Sequence, residues 1–87
     1  MTPQEKETLR KVALEALVSR HPAALNLSMI TRRVAAEVDF ALTSDDVEGA
    51  LAFLEGGKFV QTSTESLGST QYYAATTEGV LHVERVM

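Results

Sequence analysis

Few residues of this 87-residue chain combine the type and spacing that chemistry needs. Glu78 and His82 stand four apart, the separation at which two side chains share one helix face and could begin a metal site. Two ligands alone leave a metal under-coordinated, so the pair reads as an ordinary solvated one. Asp45, Asp46 and Glu48 bring three carboxylates close together. Their spacing fits no calcium loop, and acids at the start of a helix are already favoured by its macrodipole. There is no cysteine, no glycine loop to cradle phosphate and no G-x-S-x-G nucleophile turn. The chain is therefore expected to be no enzyme, with no metal and no cofactor.

The remaining chemistry is that of binding. The basic candidates are Arg32 and Arg33, Lys58, and Arg10 with Lys11. They are outnumbered: the formal net charge is −4 and the pI about 5.0. That balance argues against strong nonspecific affinity for nucleic acid or an anionic membrane. Hydrophobic residues make up 45% of the chain, enough to build one core, so residues 1–87 read as a single domain. The amino-terminal MTPQEKETLRK lacks a signal-type apolar run, and no stretch is long enough to cross a bilayer. A cytoplasmic location is the expectation.

These residues must be positioned by local elements that the pattern defines. Thr2, Pro3 and Glu5 form a cap, a first-turn proline and a capping box for a first helix. Leu9, Val12, Ala13, Ala16 and Leu17 give it a core stripe, and Pro22 ends it near Ser19 to His21. Leu14 and Val18 form a second stripe, open to two readings: burial under the chain's own carboxy-terminal segment, or the seam of a homodimer. Leu25-Asn26-Leu27 suits a short strand. Ser28 is the expected cap of a second helix from Met29 to about Val38, with Ile30, Val34 and Val38 inward. Phe40 follows as a plug between helices.

The third helix is the best marked. Thr43 and Asp46 supply a capping box, and Leu42 with Val47 a hydrophobic staple. Val47, Ala50, Leu51 and Leu54 make the inward stripe. Gly56-Gly57 is expected to hold the left-handed residue that stops the helix. Two extended runs follow, Val60–Thr64 and 70–74, joined by a turn through Gly68. Thr76 would cap a last helix carrying Val80, Leu81, Val83 and Val86.

The run Leu54-Glu55-Gly56-Gly57-Lys58-Phe59-Val60 resembles the L-E-x-x-G-apolar-apolar signature of winged-helix domains, with Lys58 where they usually carry glycine. Tyr73-Ala74-Ala75-Thr76-Thr77-Glu78-Gly79 is similar to the Y-x-L-T-x-x-G segment of MarR-like regulators, with alanine at 75 in place of leucine. The resemblance implies an α+β winged helix-turn-helix: a three-helix core, a carboxy-terminal β-hairpin wing and a short last helix. It also implies a DNA reader whose third helix enters the major groove. The residues of that helix point elsewhere. Its outward side is Asp45, Asp46, Glu48, Gly49 and Ala52, with Phe53 flanking, and it offers no cation to a polyanion.

The expectation is thus a non-catalytic interaction module. It would meet a protein partner through Asp45, Asp46, Glu48, Gly49, Ala52, Phe53 and Leu67 at the wing tip. The alternative is a dimeric DNA-binding regulator using Arg32, Arg33 and Lys58, with DNA disfavoured by the acidic third helix.

Overall fold

Thr2 opens the first helix as the sequence requires. Its hydroxyl accepts from the Glu5 amide at 3.1 Å, and the Glu5 carboxylate accepts from the Thr2 amide at 2.9 Å. The computed structural model describes residues 1–86, in the order α1 (Pro3–Val18), β1 (Leu25–Asn26), α2 (Leu27–Glu37), α3 (Ser44–Gly56), β2 (Val60–Thr64), β3 (Gln71–Ala75) and α4 (Thr77–Val86). The side chain of Val86, expected on the last helix, lies outside the described residues.

The three strands form one antiparallel sheet in the order β1-β3-β2. Leu25 pairs with Tyr73, and Thr62 faces Tyr73 from the other side. In β2 only Val60 is buried, whereas Tyr73, Ala74 and Ala75 of β3 are. The hairpin is therefore rooted in the core at one end and projects from it at the other. Its turn is closed by the Glu65 amide donating to the Thr70 carbonyl at 3.0 Å.

The core joins Leu9, Ala13, Leu14 and Leu17 of α1 to Ile30 and Val34 of α2, to the Val47, Ala50, Leu51 and Leu54 stripe of α3, and to Leu25, Val60, Tyr73 and Ala75 of the sheet. Phe40 and Leu42 pack half-buried against it between α2 and α3. Burial of these side chains is the main stabilising term, at roughly 1.5–3 kcal/mol for each fully buried large aliphatic.

Four sequence expectations need correction. First, α2 begins two residues earlier than expected and is capped by Asn26, whose side chain accepts from the Met29 amide at 2.9 Å; Ser28 lies within the helix. Second, the left-handed residue after α3 is neither glycine. Gly57 has φ −83°, and it is Lys58 that adopts φ 66°. The Phe59 amide donates to the Leu54 carbonyl and the Lys58 amide to the Glu55 carbonyl, the paired bonds of a Schellman stop with Lys58 at the left-handed position. A Cβ at Gly57 would sit 3.1 Å from two carbons of the Phe59 ring, so a side chain there would require that ring to shift.

Third, Leu14 is only 3% exposed, because α4 crosses α1 there. A Cβ on Gly79 would lie 3.3 Å from a Leu14 methyl carbon and would overlap the Phe59 carbonyl oxygen, so only glycine lets α4 approach so closely. Leu14 is therefore part of the chain's own core rather than a dimer seam, and Val18 is half-buried against the same core. Fourth, the second strand of the hairpin starts at Gln71, one residue later than read. In α4, Val80 and Val83 contact the core, and Leu81 is 41% exposed.

Candidate functional site

The helix α3 is held by its cap and its stop, and both use residues that would otherwise be free to bind. The Asp46 carboxylate accepts from the Thr43 amide at 2.9 Å, while the Thr43 hydroxyl accepts from the Asp46 amide at 3.3 Å. Asp46 is thereby engaged in holding the helix start. At the other end the Glu55 carboxylate accepts from the Thr62 hydroxyl at 2.7 Å, which ties the hairpin to α3.

Of the expected partner-binding residues, Asp45, Glu48, Gly49 and Ala52 are exposed at i, i+3, i+4 and i+7 and share the outward side of α3, whose two edges border different hollows. Asp45, Asp46 and Gly49 line a shallow hollow with Met1, Lys6 and Arg10 at the start of α1. Phe53 is 57% exposed, yet it lies under the Arg10 guanidinium, which stacks 3.8 Å above its ring. That flank opens onto a largely apolar groove of about 470 Å³ between α1, α3 and α4, lined by Leu14, Leu54, Phe59 and Val83. Glu48 borders the other edge of this outward side. It lines a hollow of about 360 Å³ with Ser28 at the start of α2 and Ser69, Thr70 and Gln71 of the hairpin. Ala52 is exposed on α3, and Leu67, 97% exposed, stands alone at the hairpin tip.

The basic residues are dispersed. Arg32 is exposed on α2. Arg33 turns towards α1, where its guanidinium reaches the Ser19 hydroxyl at 3.5 Å, long for a hydrogen bond. Lys58 sits at the root of the hairpin, beside His21, Gln61 and Thr76 to Glu78. The Thr76 hydroxyl donates to the Lys58 carbonyl at 2.8 Å and accepts from the Gly79 amide at 3.1 Å, capping α4 onto the stop of α3. Among the described residues neither histidine pairs with a carboxylate to start a metal site. The His82 ring packs on Phe59, with centroids 4.7 Å apart, and His21 Nδ1 lies 3.1 Å from the Ala75 carbonyl. Among the described residues no three His, Cys, Asp or Glu side chains gather to hold a metal ion, and no helix is long and apolar enough to cross a membrane.

One electrostatic effect is local to the Glu48 flank. Tyr73 is 6% exposed, and burial raises its phenol above the ordinary 10.0. The negative charges of Glu48 and then Glu55 raise it further, by opposing a second anion nearby. Its hydroxyl donates to the Gln71 side-chain carbonyl at 3.3 Å.

Two helices joined through Phe40, with the second capped and stopped against a hairpin, make up the helix-turn-helix and its flanking wing. The fold is a winged helix-turn-helix. A transcriptional regulator from Clostridium thermocellum superposes over 99% of this chain and 84% of its own, with a TM-score of 0.75 at 15% identity. A PadR-family transcription regulator from Clostridium difficile matches over 90% of this chain and 81% of its own, with a TM-score of 0.72 at 20% identity. A MarR-family regulator from Silicibacter pomeroyi matches over 91% of this chain but 48% of its own, with a TM-score of 0.72 at 18% identity. At these identities the likeness is one of fold. No protein-family model and no curated protein sequence matches the chain.

The residues that surround Glu48 were not legible as a set. Ser28, Ser69, Thr70 and Gln71 come from two distant segments, and only the pairing of β1 with β3 brings α2 and the hairpin together.

Proposed function

We propose that the chain acts in transcriptional regulation as a DNA-binding winged helix, with the start of α2, the outward side of α3 and the wing facing the duplex. The observation that carries this reading is the likeness over 99% of the chain to a solved transcriptional regulator. It reverses the order of the two readings that the acidic third helix suggested. Neutral groups on this side also support it. Ser28, Ser69, Thr70 and Gln71 can hydrogen-bond phosphate or base edges without adding charge. The amino-terminal end of α2 adds the positive pole of its dipole, and Arg32 is exposed one turn further on.

The test is a fluorescence-anisotropy titration against duplexes selected from a random pool and against mixed-sequence DNA, over a salt series. Selective binding to the chosen duplexes, with little affinity for mixed sequence, is expected. If no duplex is retained at any salt concentration, the reading fails.

A protein partner is the second reading, and a specific feature favours it. The exposed residues Asp45, Glu48, Gly49 and Ala52 include no cation, and Phe53 and Leu67 add apolar surface suited to a basic protein. Changing Asp45 and Glu48 to Lys discriminates the two. A gain in DNA binding places α3 at the duplex, whereas silence from both proteins means that α3 is covered by a partner.

Assembly as a homodimer belongs to the same proposal. Two copies would set their α3 helices about 34 Å apart, one turn of DNA. Their seam would exclude Leu14, which each chain buries within itself. A single-chain mass by light scattering at high concentration removes the dimer.

A further inference from the structure

The four carboxylates along α3 are not equivalent once their surroundings are known. Asp46 is engaged at the Thr43 amide and Glu55 at the Thr62 hydroxyl. Asp45 lines the flank shared with the start of α1. Glu48 is exposed, no hydrogen bond engages it among the described residues, and it alone of the four lines the hollow between the start of α2 and the wing. Its charge also reaches the root of the wing, where it helps to raise the Tyr73 phenol.

We infer that Glu48 reads a base edge and that it selects cytosine. The inference rests on the DNA-binding reading above. An ionised carboxylate only accepts hydrogen bonds. In the major groove the only base donors are the N4 amino group of cytosine and the N6 amino group of adenine. At guanine the carboxylate would face the O6 and N7 acceptors, and at thymine the O4 acceptor and a methyl group. At adenine one oxygen could accept from N6, but the other would be set against N7. Cytosine carries only C5–H on one side of its amino donor, with O6 of the paired guanine on the other, whereas adenine N6 lies between N7 and the O4 of its thymine; cytosine therefore sets the fewest lone pairs against a carboxylate. The neutral side chains of Ser28, Ser69, Thr70 and Gln71 around Glu48 allow close approach without competing for its charge.

The exchange of Glu48 for glutamine is diagnostic. Glutamine keeps the length and gains a donor, which matches the N6 and N7 pair of adenine. The experiment selects duplexes from a randomised pool with the full chain, Glu48→Gln and Glu48→Ala, using circular dichroism to verify that all three are folded. The unmodified chain should enrich cytosine at one position, with on the order of tenfold loss when that pair is replaced. Glu48→Gln should move the preference at that position to adenine and bind more tightly, having lost a charge that repels phosphate. Glu48→Ala should leave the position unspecified while preferences elsewhere persist. Selection of the same base pair at every position by all three proteins overturns the inference and leaves the DNA-binding reading in place, as does an unmodified-chain site that specifies no G·C pair. Failure of the unmodified chain to enrich any duplex overturns both.

Discussion

Lys58 and Gly79 show how single backbone positions govern the junction on which this fold turns. Lys58 takes the left-handed place of a Schellman stop, which costs a residue with a Cβ about 1–2 kcal/mol. Glycine would avoid that penalty but lose more freedom on folding. Lys58→Gly should therefore stabilise the chain by about 0.5–1 kcal/mol net, read as a higher urea midpoint with an unchanged slope. Gly79→Ala should act in the opposite sense, because its Cβ would overlap the Phe59 carbonyl oxygen, which cannot swing aside as a side chain could. A loss of about 1–3 kcal/mol is expected, and an unchanged melting curve would show that α4 sits further from β2 than described.

Tyr73 makes a prediction in pH. Its phenol titrates above the ordinary 10.0 when folded, because of burial first and of Glu48 and Glu55 next. Below pH 10 both the folded and the unfolded chain hold the proton, and the full stability is present. As pH rises from 10 through the folded value, the unfolded chain holds fewer protons, so stability falls. Tyr73→Phe should abolish this part of the alkaline decline, and Glu48→Gln should shift the phenol back towards 10, as followed by ultraviolet titration.

At the scale of elements, α1 and α4 decide what the helix stripes can do. An extra apolar stripe on α1 has two outlets, and α4 takes Leu14 as its own contact across Gly79. Leu14→Glu should thus unfold or severely destabilise the chain, by about 3 kcal/mol or more, since an unpaired carboxylate would be forced into the core. A folded protein of unchanged stability would restore Leu14 to the surface. The start of α3 is governed more locally. Removing the Thr43 hydroxyl breaks one half of a reciprocal cap, and Thr43→Ala should cost about 1 kcal/mol. The capping boxes at Thr2 and Thr43 could be read from sequence because they join groups three residues apart. The start of α2 could not: Asn26 is both a strand residue paired with Tyr72 and the cap, and sheet pairing determined which polar side chain served.

The whole molecule carries a net charge of −4 and spreads its few cations over separate faces, with Arg33 against α1 and Lys58 at the foot of the wing. On the DNA-binding reading, affinity gained by releasing counterions must therefore be small. If about two phosphates are neutralised, log affinity should fall against log salt with a slope of about −2 or shallower, and a steep slope would show that a basic surface forms on assembly. Most of this outline was present in the sequence alone. Caps, apolar periodicity and the turn at Gly68 depend on neighbours within a few residues, and they determined the helices, the hairpin and their order. The tertiary structure decided the rest. Lys58 rather than either glycine takes the left-handed place, with its carbonyl held by the Thr76 hydroxyl; Leu14 is internal because α4 lies over it; and Glu48, which no hydrogen bond engages among the described residues, lies beside Ser28 and the wing. Each of those outcomes depends on segments far apart in the chain meeting at van der Waals or hydrogen-bond distance, which no local spacing specifies.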